Sequence, residues 1–217
     1  MQILTEKLEF PPVTQANTYG MVAVGGDLSP ERLLLAYKSG IFPWYSKGEP
    51  IVWYSPDPRM VLFPDTLKVS KSMRQILRKG DFKVTVNQAF AKVIANCKNT
   101  NREAQGEVGT WITDEMETAY NKLHELGIAK SVEVWKGDDL VGGLYGLEIK
   151  SIFCGESMFS NVSNASKVAF IHLITERSRS DITKNNYKLI DCQVYNNHLA
   201  SLGAKEISRT AFLEYLK

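Results

Sequence analysis

Three consecutive strand patterns in the second half of the chain constrain its fold more than any other feature. Polar and apolar residues alternate over Ser131–Trp135, a turn sequence follows at Lys136–Asp139, and two further strand patterns cover Leu140–Ile149 and Ser151–Phe159. Alternation with a period of two is typical of β-strands, and short turns join antiparallel neighbours. An antiparallel sheet is therefore predicted here.

Helices and one more strand surround this predicted sheet. After it, we predict a helix over Ser166–Thr175, an apolar strand over Tyr187–Val194 and a short helical turn over Asn197–Leu202. The order helix, antiparallel strands, helix, strand, helix indicates an α+β fold rather than a regular βαβ series. We place a domain boundary so that residues 1–66 form a small N-terminal domain and residues 67–217 a larger one.

Helix starts are signalled by capping side chains before the sheet. Ser29, Ser70 and Thr113 each precede a helical pattern, and Ser and Thr side chains accept hydrogen bonds from the free amides of a first helical turn. The second of these helices, Ser70–Lys79, is amphipathic, with Met73 on its apolar face. Its basic residues are therefore expected to project from a packed surface rather than from a disordered tail.

Composition and cysteine spacing exclude several classes of protein. Cys97, Cys154 and Cys192 share no C-x-x-C spacing, which argues against a disulfide framework or a zinc site, and the three histidines lack ligand spacing too. No apolar run of about 18 residues, no signal-like N-terminus, no P-loop and no dinucleotide fingerprint occurs. We expect a cytoplasmic protein with no metal, no cofactor and no membrane partner.

Positive charge is concentrated in one stretch although the net charge is only +2. Residues 68–103 hold nine Lys and Arg against two acids. Such a local excess indicates a candidate phosphate-binding surface, the alternative being an ordinary solvated face. The side chains we select as candidate contacts are Lys71, Arg74, Arg78, Lys79 and Lys83.

Two apolar strand patterns carry polar residues where these are costly. Glu156 lies within the third strand pattern, and Asp191 and Gln193 lie within the last one. A carboxylate in such a run must be paired, hydrogen-bonded or directed into a cleft. Because Asp191 and Gln193 are two residues apart, a regular strand would place both on one face. A cleft is predicted, and a strand with one solvated side is the alternative.

Tryptophans in loops or at the ends of elements are candidates for base stacking. Trp44, Trp53 and Trp111 have this position, and exposed aromatic rings beside a basic surface suit the unpaired end of a nucleic acid. The alternative is that each fills a gap in the core.

Eight segments, taken together, resemble the leucyl/phenylalanyl-tRNA–protein transferase family. They are Val22–Pro30, Gly40–Trp44, Trp53–Arg59, Gly109–Thr113, Val141–Gly146, Gly155–Ser160, Leu189–Gln193 and Leu199–Gly203. The resemblance spans nearly the whole chain in family order. It implies a small N-terminal α/β domain followed by a GNAT-like acyltransferase domain whose sheet is mixed and largely antiparallel.

The resemblance also implies an activity and a set of site residues. The activity is transfer of Leu or Phe, less readily Met, from aminoacyl-tRNA to a protein that begins with Arg or Lys, which marks it for degradation. Asp191, Gln193 and Glu156 are implied to be catalytic. The implied substrate-binding residues are Trp44 and Trp111 for the terminal adenosine, Leu144, Phe153, Met158 and Ile190 for the transferred side chain, and Asn196. The basic surface would bind the tRNA, and the protein is expected to be a monomer.

The expected mechanism relies on positioning. The acceptor α-amine has an ordinary pKa of about 7.7–8.0 and the ordinary aspartate pKa is about 3.9, so Asp191 is expected to orient Gln193 and the amine rather than to act as the base. An acyl-CoA-dependent N-acetyltransferase is one rival, but Phe159–Lys167 has no glycine for a pyrophosphate loop. A non-catalytic RNA-binding module is another, and it leaves Glu156 unexplained.

Overall fold

Two β-sheets organise the chain, and the computed structural model describes residues 2–100, 111–175 and 187–217. The smaller sheet has four strands in the spatial order β1 (Gln2–Leu4), β2 (Met21–Gly25), β4 (Val52–Tyr54) and β3 (Phe42–Pro43). Strands β1 and β2 are parallel, and the other neighbours are antiparallel. The aromatic, proline-rich stretch around residues 41–58 therefore supplies two strands that its sequence pattern did not indicate.

The larger sheet has seven strands and contains the predicted antiparallel unit. Its spatial order is β11 (Lys205–Ile207), β5 (Arg59–Leu62), β10 (Leu189–Gln193), β9 (Ile152–Ser160), β8 (Asp139–Ile149), β7 (Ala129–Lys136) and β6 (Lys83–Val86). Only β9 and β10 are parallel neighbours. The prediction of an α+β fold with a mixed, largely antiparallel sheet is confirmed.

Short strands at or next to the edges were the part of the larger sheet that the sequence patterns missed. Strands β5, β6 and β11 have three or four residues each, too few for a clear alternation. Strand β5 lies before residue 66 but pairs with β10 and β11 of the larger sheet. The division of the chain into residues 1–66 and 67–217 stays a prediction.

Seven α-helices pack around the sheets within the described residues. They are α1 (Pro30–Lys38), α2 (Lys71–Lys79), α3 (Phe90–Asn99), α4 (Asp114–Glu125), α5 (Ala165–Thr175), α6 (Asn197–Ser201) and α7 (Arg209–Glu214). None of them is long and apolar enough to cross a bilayer.

The three predicted side-chain caps are all present at the starts of their helices. The hydroxyls of Ser29, Ser70 and Thr113 accept hydrogen bonds from the amides three residues later, at 3.4, 3.1 and 3.2 Å. Helix α3 was not predicted, because Ala89 stands at its cap position and no side chain caps it. Its apolar face, which includes Phe90, stabilises it through tertiary packing instead.

The hydrophobic core has two parts, one on each face of the larger sheet. On one face, β8 contributes Tyr145 and Leu147 to a cluster that is continuous with the smaller sheet. On the other face, Leu144 packs in a cluster that includes Val168 of α5 and Met73 of α2. Successive residues of β8 thus point to opposite cores, and the central strands are buried on both sides.

Candidate active site

A cavity of about 500 Å³ opens where the two parallel strands of the larger sheet separate. Strands β9 and β10 pair from Leu189 opposite Ile152 to Asp191 opposite Cys154, and no pairing follows. Beyond that point β9 continues to Ser160 while β10 ends, so the gap between them is open. All ten side chains predicted to be catalytic or substrate-binding line it: Trp44, Trp111, Leu144, Phe153, Glu156, Met158, Ile190, Asp191, Gln193 and Asn196.

A break in strand regularity sets the orientation of Gln193. The pairing register of β10 with β5 shifts between Asp191 and Gln193, and Gln193 has a φ of 63°, in the left-handed region. Such a backbone costs a non-glycine residue roughly 1–2 kcal/mol. The backbone N–H of Gln193 donates to Oδ1 of Asp191 at 3.0 Å, which stabilises the bulge. The regular alternation assumed from the sequence does not hold here, and Asp191 orients Gln193 through its backbone.

Asp191 is fully buried and is paired with Arg59. Nε of Arg59 donates to Oδ1 at 2.8 Å, and Nη2 donates to Oδ2 at 2.7 Å. The guanidinium lies between the rings of Phe42 and Phe212, 4.8 and 4.6 Å from their centroids. Burial by itself would lower the pKa of Arg59, but the Asp191 carboxylate outweighs it and raises that pKa above its ordinary value. Because two hydrogen bonds join the guanidinium and the carboxylate in a buried site, the Asp191 side chain is held in a fixed orientation.

Arg59 was not selected from the sequence, although a signal was present. It directly precedes Met60, Val61 and Leu62, so it is a charge at the start of an apolar run. The argument applied to Asp191, that such a charge needs a partner, applies equally to Arg59.

Glu156 is the centre of a hydrogen-bond network that joins four elements. Its Oε1 accepts from the Tyr37 hydroxyl of α1 at 2.7 Å and from Nε2 of Gln193 at 2.8 Å. The hydroxyl oxygen of Tyr120, on α4, lies at hydrogen-bond distance from its Oε2, at 2.9 Å. Burial raises the pKa of the Glu156 carboxyl to about 8, although both tyrosine hydroxyls act in the opposite direction. The side chain keeps some accessible surface towards the cavity but is densely surrounded by protein atoms.

Tyr37 and Tyr120 also escaped selection from the sequence. Both fit the apolar stripe of their helix, a pattern that predicts a core residue rather than a site residue. They are indeed buried, and a buried tyrosine hydroxyl normally has a hydrogen-bond partner, which was the available signal.

Apolar side chains form one part of the cavity wall. Leu144, Phe153 and Ile190 are almost completely buried, and Met158 is partly buried beside them. These four side chains come from β8, β9 and β10, so three adjacent strands hold them in place. The wall can accept an apolar group of moderate size.

Two of the three candidate tryptophans lie at the cavity. Trp44 is 40% exposed and packs at a tilt against Tyr54, and Trp111 is half-buried. Trp53 is fully buried; its Nε1 donates to the carbonyl of Gly25 at 2.8 Å. The interpretation of Trp53 as an exposed stacking residue is therefore wrong, because its ring fills the core of the smaller sheet.

Comparison with known proteins decides the family. The family model described as leucyl/phenylalanyl-tRNA protein transferase matches residues 61–217, and the model of that family's N-terminal domain matches residues 26–57. The chain belongs to the leucyl/phenylalanyl-tRNA–protein transferase family. It is therefore an aminoacyltransferase, as predicted from the resemblance, and the family name implies aminoacyl-tRNA as a substrate.

Relatives from different bacteria are similar over most of their length. A leucyl/phenylalanyl-tRNA–protein transferase of Flavobacterium johnsoniae is 60% identical over 100% of this chain and 99% of its own. One from Escherichia coli is 49% identical over 100% of this chain and 89% of its own. Among solved structures, a conserved protein of unknown function from Bacteroides thetaiotaomicron has a TM-score of 0.44 and 11% identity, covering 74% of this chain and 55% of that one.

Four of the five basic residues selected as tRNA contacts of this transferase lie on α2. Lys71, Arg74 and Arg78 are exposed and line a groove of about 1230 Å³ between α2, β6 and α5, which shares no lining residue with the cavity. Lys79 is paired with Asp81 at 2.8 Å, and Lys83 lies on β6. The basic surface therefore lies mainly on α2, apart from the cavity.

Proposed function

We propose that the enzyme works in the cytoplasm as a monomer and transfers Leu or Phe, less readily Met, from aminoacyl-tRNA to proteins that begin with Arg or Lys, marking them for degradation. The observation that carries this proposal is the continuity of the cavity. One cavity combines an apolar wall, two tryptophans and the Gln193 amide, which matches an aminoacylated terminal adenosine beside an attacking amine.

The donor end fits the cavity by chemical type. The Leu or Phe side chain would contact Leu144, Phe153 and Ile190, and the flexible Met158 could adapt to either shape. Trp44 and Trp111 would stack on the terminal adenine. The tRNA body would extend to the basic surface of α2, where lysines and arginines neutralise phosphates.

The reaction itself needs little more than orientation. The acceptor α-amine attacks the ester carbonyl carbon, a C–N bond forms, the C–O bond to the ribose breaks, and the amine proton ends on the ribose oxygen. Because both Asp191 oxygens are bonded to Arg59, Asp191 is better suited to hold Gln193 than to remove a proton. Gln193 would contact the nucleophile, and alignment would supply much of the rate.

The preference for a basic acceptor rests on the family resemblance. Two carboxylates line the cavity, Glu156 and Asp191, and both are already bonded inside the protein, Asp191 to Arg59 and Glu156 to two tyrosines. Their pull on an incoming guanidinium is correspondingly weak. The assay below therefore varies the acceptor as well as the donor.

A transfer assay with matched variants tests the proposal. Radiolabelled Leu-tRNA, Phe-tRNA, Met-tRNA and acetyl-CoA are each offered with peptides that begin with Arg, Lys or Ala. We expect label to move from Leu-tRNA and Phe-tRNA, and more slowly from Met-tRNA, to the Arg and Lys peptides only. Label moving from acetyl-CoA, or equally to the Ala peptide, would refute the proposal.

Gln193→Asn tests the role of Gln193 in the same assay. Asn tolerates the left-handed backbone, but its amide is one methylene shorter. We expect kcat to fall about a hundredfold with the KM for aminoacyl-tRNA nearly constant, as when a transition-state contact is lost. Gln15→Asn is the control, because Gln15 is exposed and outside the cavity. Equal kcat values for the two variants would exclude Gln193 from the reaction.

A further inference from the structure

Three oxygen-to-oxygen contacts around Glu156 form a closed ring. The hydroxyls of Tyr37 and Tyr120 are 2.5 Å apart. Tyr37 is also 2.7 Å from Oε1 of Glu156, and Tyr120 is 2.9 Å from Oε2. Each of these separations is a hydrogen-bond distance, so each contact requires one hydrogen between its two oxygens.

Counting hydrogens identifies the state of the carboxyl. Each tyrosine hydroxyl carries a single hydrogen, so Tyr37 and Tyr120 fill two of the three contacts in the ring. An ionised Glu156 has no hydrogen to contribute, and two hydroxyl oxygens would then face each other without one. A protonated Glu156 completes the ring: Glu156 donates to Tyr120, Tyr120 donates to Tyr37, and Tyr37 donates back to Oε1.

We infer that Glu156 acts as a neutral carboxylic acid, and that Tyr37 and Tyr120 are positioning residues that hold its side chain beside Gln193. Oε1 of Glu156 is then a carbonyl oxygen that accepts from Nε2 of Gln193 at 2.8 Å. This contact commits the nitrogen of the Gln193 amide to Glu156 and leaves its oxygen to accept from the acceptor α-amine. A hydrogen-bonded amide of fixed orientation is the kind of preorganised dipole that an acyl transfer needs.

The electrostatic surroundings favour the neutral form. The groups that face Glu156 are Tyr37, Tyr120, Arg59, Asp191 and Cys154, and Arg59 is already matched by the charge of Asp191. An ionised Glu156 would therefore add an unmatched negative charge to a buried site, which is why burial raises its pKa to about 8. That charge would also hold the acceptor amine as an ammonium, which is not a nucleophile.

A titration that needs no substrate tests the state of Glu156. The chain is labelled with glutamate carrying ¹³C at the carboxyl carbon, and the Glu156 resonance is assigned by its absence in Glu156→Gln. We expect this carboxyl to titrate near pH 8, far above the ordinary glutamate pKa of about 4.3. Tyr37→Phe or Tyr120→Phe removes one donor to the carboxylate and should move the titration to higher pH. A Glu156 resonance that titrates below pH 5 would overturn the inference.

Tyr187→Phe is the matched control for the two tyrosine variants. Tyr187 is also buried and also donates its hydroxyl to a glutamate, Glu148, but neither residue lines the cavity. This variant should leave the titration of Glu156 where it is in the unaltered protein. A shift as large as that of Tyr120→Phe would show that the tyrosine effect is not specific to the ring, and would count against the inference.

Turnover gives the second readout, and it rests on the proposed function. The amide of Glu156→Gln has a donor and an acceptor in the places of the protonated acid, so transfer should fall by no more than about fivefold, the equivalent of one ordinary hydrogen bond. Glu156→Leu has neither, so kcat should fall about tenfold or more with little change in the KM for aminoacyl-tRNA. Equal loss in Gln and Leu variants would overturn the inference. Failure of the unaltered enzyme to transfer would instead refute the proposed function, and the titration would still decide the state of Glu156.

Discussion

The buried ion pair between Arg59 and Asp191 allows a quantitative test of how the cavity is held. The two side chains are 2% and 0% exposed and share two short hydrogen bonds. Arg59→Met keeps a long, flexible side chain between Phe42 and Phe212 but removes the guanidinium. The carboxylate of Asp191 is then left buried without its cation.

The expected cost follows from the terms that the substitution removes. Breaking one partner of a buried ion pair costs about 3–5 kcal/mol, because the remaining charge is uncompensated. The contacts of the guanidinium with two aromatic faces add roughly 0.5–1 kcal/mol each. The total of about 4–7 kcal/mol compares with a typical unfolding free energy of about 5–15 kcal/mol. Arg59→Met should therefore have a free energy of unfolding close to zero.

Urea unfolding followed by circular dichroism measures this cost. At a slope of about 2 kcal/mol per molar urea, Arg59→Met should move the midpoint down by about 2 M or more. The double variant Arg59→Met/Asp191→Asn removes both charges of the pair, so it should recover part of that loss. Arg209→Met is the control. The guanidinium of Arg209 donates a hydrogen bond to the carbonyl of Ser55, and its loss should cost only about 1–2 kcal/mol.

The double-mutant cycle decides whether the reasoning is right. A loss below about 1 kcal/mol in Arg59→Met would refute it. So would a double variant whose loss equals the sum of the two single losses, because the two charges would then contribute independently of each other.

Two further predictions concern pH and salt. Between about pH 5 and 8 the unfolded Glu156 is ionised while the folded carboxyl stays protonated to about pH 8, so its contribution to stability falls as pH rises and is constant above that range. Glu156→Gln should therefore gain stability over the unaltered protein across this window, by at most a few kcal/mol, and urea midpoints at pH 5 and pH 8 would contradict this if the difference between the proteins stayed constant. Arg74→Gln, on the exposed face of α2, should weaken tRNA binding. It should also reduce the slope of log Kd against log salt by about 0.7–0.9, because one phosphate contact is lost. If filter binding gave an unchanged slope, Arg74 would not be a tRNA contact.

Local signals explain the elements that could be predicted from the sequence. The caps at Ser29, Ser70 and Thr113 act within four residues of chain, and the patterns that predict β7, β8 and β9 are properties of each strand by itself. These elements were predicted with ends within one or two residues of those observed. Strand β5 and helix α3 were missed because one is too short and the other has no capping side chain.

The sequence by itself thus determined the fold class, the family and ten of the residues that line the cavity, since these depend on local periodicity and on motifs within single segments. Only the tertiary structure decided how the polar groups are paired. Arg59 and Asp191 are 132 positions apart, and Tyr37 is 119 positions from Glu156. Pairings over such separations are made by packing, which also buried Trp53 and produced the bulge at Gln193. Because burial sets both the partner and the proton of a carboxyl, the state of Glu156 is a property of the folded protein.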